Sequence, residues 1–188
     1  MTITGPAITR LILLGFVASL LQLTSASQVS IFGVPMDLSP LIVASVGFLA
    51  GSVPGMIFGF CFGLFADTAL MQTLGVTSLV LTVIGYGAGR IRELRVPAHG
   101  LAPVAVGAAA TAIAALSITL LQFLLGVEAP VSGQVVRQIL MTIVINTLLA
   151  LPVYAVCRRV LLPFLPDDPR RRRRRAYTTG GLSPISRA

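Results

Sequence analysis

The sequence predicts an all-α integral membrane protein with six transmembrane helices and little mass outside the bilayer. Three observations predict it. Hydrophobic residues make up 55 % of the 188-residue chain and charged residues only 11 %, too few charges to cover a soluble domain of that apolar content. The mean hydropathy is +0.93. Roughly five or six apolar stretches approach the ~20 residues needed to cross a hydrocarbon layer of about 30 Å.

Span one covers about residues 8–26 and opens near Arg10. Further spans follow it, so it reads as a membrane helix and not as a cleaved signal peptide. The polar break SASQVSIFGVPMDLSP then leads to span two, about 37–51. Its apolar core, Leu41 to Ala50, is too short to cross alone and needs the residues from Asp37 onward. The SVPG turn ends it, with Ser52 as the expected N-cap and Pro54 in the first turn of span three. Span three occupies about 54–70, span four 74–89, span five 101–125 and span six 135–162, the last bent at Pro152. These spans form one transmembrane domain over 1–165. Residues 166–188 carry too little apolar surface to fold and are expected as a disordered, arginine-rich tail.

All fourteen basic residues are arginines. The bias of positive charge toward the cytoplasm puts Arg90, Arg92, Arg95 and the chain from Arg158 onward inside, with both termini cytoplasmic. Residues 27–37, the turn from Asp67 to Thr73 and the Glu128 loop then lie outside. Arg137 alone runs against this assignment.

The most informative stretch is GSVPGMIFGFCFGLFAD, where Gly51, Gly55, Gly59 and Gly63 recur every four residues and the next step is Asp67. Each glycine inside a helix costs about 1 kcal/mol relative to alanine. A row of them makes a groove into which another backbone can pack closely, the main means of association between helices in lipid. The neighbour is either a helix of this chain or a partner's helix. Asp67 is expected about 20 Å from Pro54, near the outer membrane edge. There it suits an anchor, since a proton carrier belongs deeper in the bilayer and beside a relay of other groups. Asp37 is expected at the same face. Gln22, Thr82, Tyr86, Gln122 and Asn146 read as interhelical hydrogen-bonding groups. The run Arg170, Arg171, Arg172, Arg173, Arg174 and Arg175 reads as a topology signal that touches anionic lipid. No aromatic platform or folded basic domain accompanies it, so nucleic acid is not an expected partner.

No reactive constellation is legible. His99 stands alone, and Cys61 and Cys157 lie in apolar runs and read as small hydrophobes. GYGAGR at 85–90 opens no nucleotide-binding unit and reads as a flexible helix end. No metal, cofactor or enzymatic activity is expected.

The order of features from Asp37 to Tyr86 resembles the bacterial rod shape-determining MreD family. The matching residues are Asp37-Leu38, Gly59-Phe60, Gly63-Leu64 and Asp67, Leu74-Gly75, and Gly85-Tyr86. The resemblance implies a six-span protein of the bacterial cytoplasmic membrane with a fold similar to the S components of energy-coupling-factor transporters. It further implies a non-enzymatic part in the cell-wall elongation complex. The expected partners are an MreC-like single-span protein, the RodA and class B penicillin-binding protein complex, and, indirectly, MreB. On this basis Gly51, Gly55, Gly59, Phe60, Gly63, Asp67 and Asp37 are the expected partner-binding and helix-packing residues. The rival expectation is a vitamin-binding S component, which would need aromatic and polar groups converging on an outward pocket. The chain has no tryptophan and three tyrosines, which weakens it, although small residues four apart in span five (Ala105-Ala109, Ala108-Ala112) leave it standing.

Overall fold

The computed structural model describes residues 9, 11–19, 30–31, 34–35, 37–71, 73–94, 102–126 and 133–161. The tail over 166–188 with Arg170 to Arg175, the later part of span one with Gln22, Arg95, His99 and the Glu128 loop lie outside the described residues.

Six helices run through them: α1 over 11–19, α2 (Ser39–Ala50), α3 (Ser52–Ala69), α4 (Val76–Leu94), α5 (Ala102–Leu124) and α6 (Gly133–Leu161). Between α1 and α2 the two-residue strands β1 (Ser30–Ile31) and β2 (Val34–Pro35) pair antiparallel, with Ser30 opposite Pro35. Helix α3, helix α5 and the Val136–Leu161 stretch of α6 are long and apolar enough to cross a membrane. Their outward faces carry side chains such as Ile57, Phe60, Leu116, Leu120, Leu140 and Leu148. Water would penalise such faces along their whole length, whereas hydrocarbon does not. The chain is a helical membrane protein.

Helix α2 is the hub. Its sequence SPLIVASVGFLA is apolar on every side, as a helix must be when it is enclosed all round, and all twelve of its residues are buried. It touches α3, α4, α5 and α6. At about 18 Å it is shorter than the hydrocarbon layer. Asn146 donates through Nδ2 to the Asp37 carbonyl, 2.7 Å away. Asn146 lies thirteen residues into α6, about 20 Å from its start. Helix α2 therefore begins level with the middle of α6, and Asp37 sits deeper in the bundle than the outer face expected for it. A helix end buried at such depth has no water to satisfy its backbone groups. The chain supplies partners: the Asp37 carboxylate accepts from Ser39 N (3.0 Å), and Asn146 also reaches Thr111 Oγ1 (3.3 Å) on α5.

The helix bounds depart from expectation on either side of the first turn in this core. Ser52 is the first residue of α3, not its N-cap. That place belongs to Gly51, whose φ of +108° makes the corner between α2 and α3. An L side chain rarely adopts this conformation and glycine does so freely. Helix α4 does not stop at Gly89 but continues to Leu94, because its last turn has a structural task at that same corner.

Candidate functional site

The glycine row lies at the interface between α3 and α4. A Cβ built on Gly55 would lie 2.5 Å from Gly85 O on α4 and 2.6 Å from Gly47 Cα on α2. On Gly59 it would lie 2.7 Å from the Leu81 carbonyl carbon, and on Gly63 2.7 Å from Ser78 N. From the other side, a Cβ on Gly85 would lie 2.6 Å from the Gly55 carbonyl carbon, and one on Gly89 would meet Gly51 and Ser52. Real Cβ atoms essentially never come within 3.0 Å of such neighbours. Backbone meets backbone along the whole seam. The groove left open for a partner helix is thus filled by α4 of the same chain, and Gly55, Gly59 and Gly63 have no surface to offer. Gly51 stands apart from the row, at the corner before α3. Phe60 points away from the seam and is 52 % exposed.

Both ends of the seam are closed by carboxylates that cap the opposite helix. Asp67, in the last turn of α3, is 1 % exposed. Its Oδ2 accepts from Gly75 N (2.8 Å) and Ser78 N (3.4 Å), the free amides at the start of α4. Glu93, in the last turn of α4, accepts through Oε1 from Ser52 N (3.0 Å) and Ser52 Oγ (2.7 Å) at the start of α3. A helix N-terminus carries unpaired N–H groups and a partial positive charge, so a carboxylate satisfies both. The neighbouring Arg92 donates to the Leu49 carbonyl near the C-terminus of α2, where a cation is the favourable sign. Residues 92 and 93 thus clasp the two sides of the Gly51 corner with opposite charges.

Glu93 lies beyond the apolar stretch of α4, and its carboxyl is held below the ordinary 4.5. The Ser52 backbone amide contributes most, then the Ser52 hydroxyl, with Arg90 adding less and partial burial opposing. Arg90 pairs with Glu93 Oε2 at 3.2 Å on the exposed surface.

Sequence reasoning singled out Asp67, Asn146 and the row from Gly55 to Gly63. It named Gly85 only within the family resemblance and Arg92 only as a topology signal, and it missed Gly47, Gly89 and Glu93. A signal existed for the glycines: Gly85-Gly89 repeats the four-residue spacing of the α3 row, and Gly47 extends that row backward into α2. GYGAGR is therefore half of the seam and not a flexible end. Nothing local in the sequence marked Glu93 as a cap for a helix 41 positions earlier. Thr82 donates back to Ser78 O within α4 (2.6 Å) and bridges no helices. Among the described residues no group of three or more His, Cys, Asp and Glu side chains converges as a metal site would require. A shallow crevice between α2, α5 and α6, lined by Leu41, Phe48, Val106 and Tyr154 among others, is too narrow to admit water.

The family model for rod shape-determining protein MreD matches residues 3–160. The chain belongs to the MreD family. The match takes in the seam, both capped ends and the buried start of α2, and stops short of the arginine run. The MreD family acts in rod shape determination and is not known as a family of enzymes. No curated protein and no solved structure matches the chain.

Proposed function

We propose that the chain is a non-enzymatic scaffold of the bacterial cell-wall elongation complex, spanning the cytoplasmic membrane six times with both termini inside. It binds an MreC-like single-span protein. Through that protein it links the RodA and class B penicillin-binding protein synthases to MreB on the cytoplasmic side. The observation that carries this reading is where the charged groups are placed. Asp67, Glu93 and Arg92 are committed to helix ends of the chain's own core, and the seam makes α3 and α4 one stiff unit. A body built this way offers partners a shaped apolar surface and positions at its ends, which is what a scaffold requires. Since α4 covers the glycines, the docking face is the outward side of α3 around Phe60, continued on α4 by Leu79, Val83 and Tyr86. Arg170 to Arg175 would hold the C-terminal end against anionic lipid.

The test is co-expression with the MreC-like protein, solubilisation, and recovery of the pair by affinity capture followed by gel filtration. The pair is expected to elute together. Failure to retain it, with tight vitamin binding by the chain alone, would instead establish the transporter-subunit reading.

A further inference from the structure

Asp67 does more than cap α4. Its Oδ2 takes both amide hydrogen bonds, while Oδ1 is buried and has no hydrogen-bond partner among the described residues. The hydroxyls nearby are committed elsewhere. Ser78 Oγ donates to Phe60 O (3.1 Å), and Thr68 Oγ1 donates to Leu64 O and Phe65 O. No arginine of the described residues forms an ion pair with it. Arg90, Arg92, Arg158 and Arg159 lie near the C-terminal ends of α4 and α6, at the opposite end of the bundle. Arg137, four residues into α6, is on a helix that is not one of the main packing neighbours of α3. A carboxylate buried with one bare oxygen is costly unless a donor reaches it.

Its position on α3 indicates where such a donor would come from. At about 100° per residue, Phe60, Leu64 and Asp67 fall within roughly 60° of arc, with Gly63 next to them on the seam side. Phe60 and Leu64 are exposed while Asp67 is not. The carboxylate therefore lies at the border between the sealed seam and an apolar strip facing lipid. A helix lying along that strip brings its own side chains past Asp67 in the last turn of α3, beside the exposed Leu64 and Met71. We propose that Asp67 Oδ1 accepts a hydrogen bond from a cationic side chain, arginine or lysine, on a partner's single transmembrane helix packed along Phe60 and Leu64. This deepens the scaffold reading and rests on it. Charge complementarity selects the occupant: an apolar strip ending in an unneutralised acid fits an apolar helix ending in a base.

The test uses the full-length chain co-expressed with the MreC-like protein, with affinity measured in nanodiscs. Asp67→Asn keeps an oxygen for Gly75 N and Ser78 N but turns the bare acceptor into an NH₂ donor. The variant is expected to accumulate folded, with both amide hydrogen bonds kept, and to lose affinity by about tenfold or more. Leu64→Trp, which fills the strip without touching the cap, is expected to weaken binding as well. Wild-type affinity in either variant overturns the inference while leaving the scaffold reading intact. Absence of binding by the wild-type chain overturns both. If Asp67→Asn fails to accumulate, Leu64→Cys in a Cys61→Ser background is cross-linked to single cysteines along the partner helix. A maximum within one turn of an arginine or lysine supports the inference, and a maximum elsewhere or none overturns it. A lipid amine as the donor is read in nanodiscs without partner. If Asp67→Asn alters melting only when phosphatidylethanolamine is present, and partner affinity is unchanged, the donor is the headgroup and the inference fails.

Discussion

Replacing Gly59 with alanine adds a single carbon in the middle of the α3/α4 seam. That carbon would lie 2.7 Å from the Leu81 carbonyl carbon, and nearer still to its oxygen, against the 3.4 Å at which ordinary contact begins. The two helices must separate by about 0.7 Å or more, because the obstacle is backbone and no rotamer change relieves it. A radial gap of about 0.5–1 Å forfeits a quarter to a half of each dispersion well it opens, and here it opens at Gly55, Gly63, Gly85 and Gly89 together. Overpacking in soluble cores costs about 1–3 kcal/mol. A backbone-on-backbone seam belongs at the upper end, so a loss of about 3 kcal/mol and a fall of roughly 6–12 °C in melting midpoint are expected. The assay is thermal unfolding of the detergent-solubilised protein followed by gel filtration. Gly87→Ala on α4 is the matched control, because nothing lies within 4 Å of its added carbon and alanine favours the helix by about 0.5–1 kcal/mol. A Gly59→Ala variant as stable as wild type, or equal damage from Gly87→Ala, would refute the account of the seam.

Three further outcomes are expected. Gly51→Ala forces an L residue to φ +108° and should cost about 1–3 kcal/mol, read as a lower melting midpoint with the helix content retained. Glu93 has a folded-state pKa below 4.5, so its stabilisation is fully present above 4.5 and is lost as pH falls through the lowered value. Melting measured from pH 6 down to 3 should show this acid-side loss, and Glu93→Gln should flatten it. The Glu93 side chain is 39 % exposed, so the effect is modest and shrinks with salt. Asn146→Leu leaves the Asp37 carbonyl without its buried donor and should cost about 1–3 kcal/mol, whereas Asn146→Gln, one carbon longer, should recover part of it.

How much of this was legible depended on the range of the interaction. The membrane class and the close-packing role of the α3 glycines were readable because each rests on composition or on spacing within one helix. The identity of the glycines' neighbour was not, because a small-residue face says that a backbone comes close without saying whose. The second half of the signal, Gly85 and Gly89, was present at the same spacing. It went unread because the charged RIREL that follows looks like a loop, and those charges turn out to belong to a helix. The depth of Asp37 could not be read either. It follows from a contact 109 positions along the chain with Asn146, and local hydropathy alone places an aspartate at a membrane edge by default.

The placement of the charges has a single physical logic. Helix dipoles leave partial positive charge at the starts of α3 and α4 and partial negative charge at the end of α2, and the membrane removes the water that would otherwise satisfy those ends. Asp67, Glu93 and Arg92 each have the sign its target requires, and the two carboxylates are exchanged between α3 and α4. Such an exchange is self-checking. If either helix slid by one turn, about 5.4 Å, the four-residue glycine spacing would still present small residues to the seam, but both carboxylates would leave their amides. Register is therefore fixed by the two capped ends. On the reading proposed above, recognition comes from the partner's fit to Phe60, Leu64 and the acceptor left bare on Asp67.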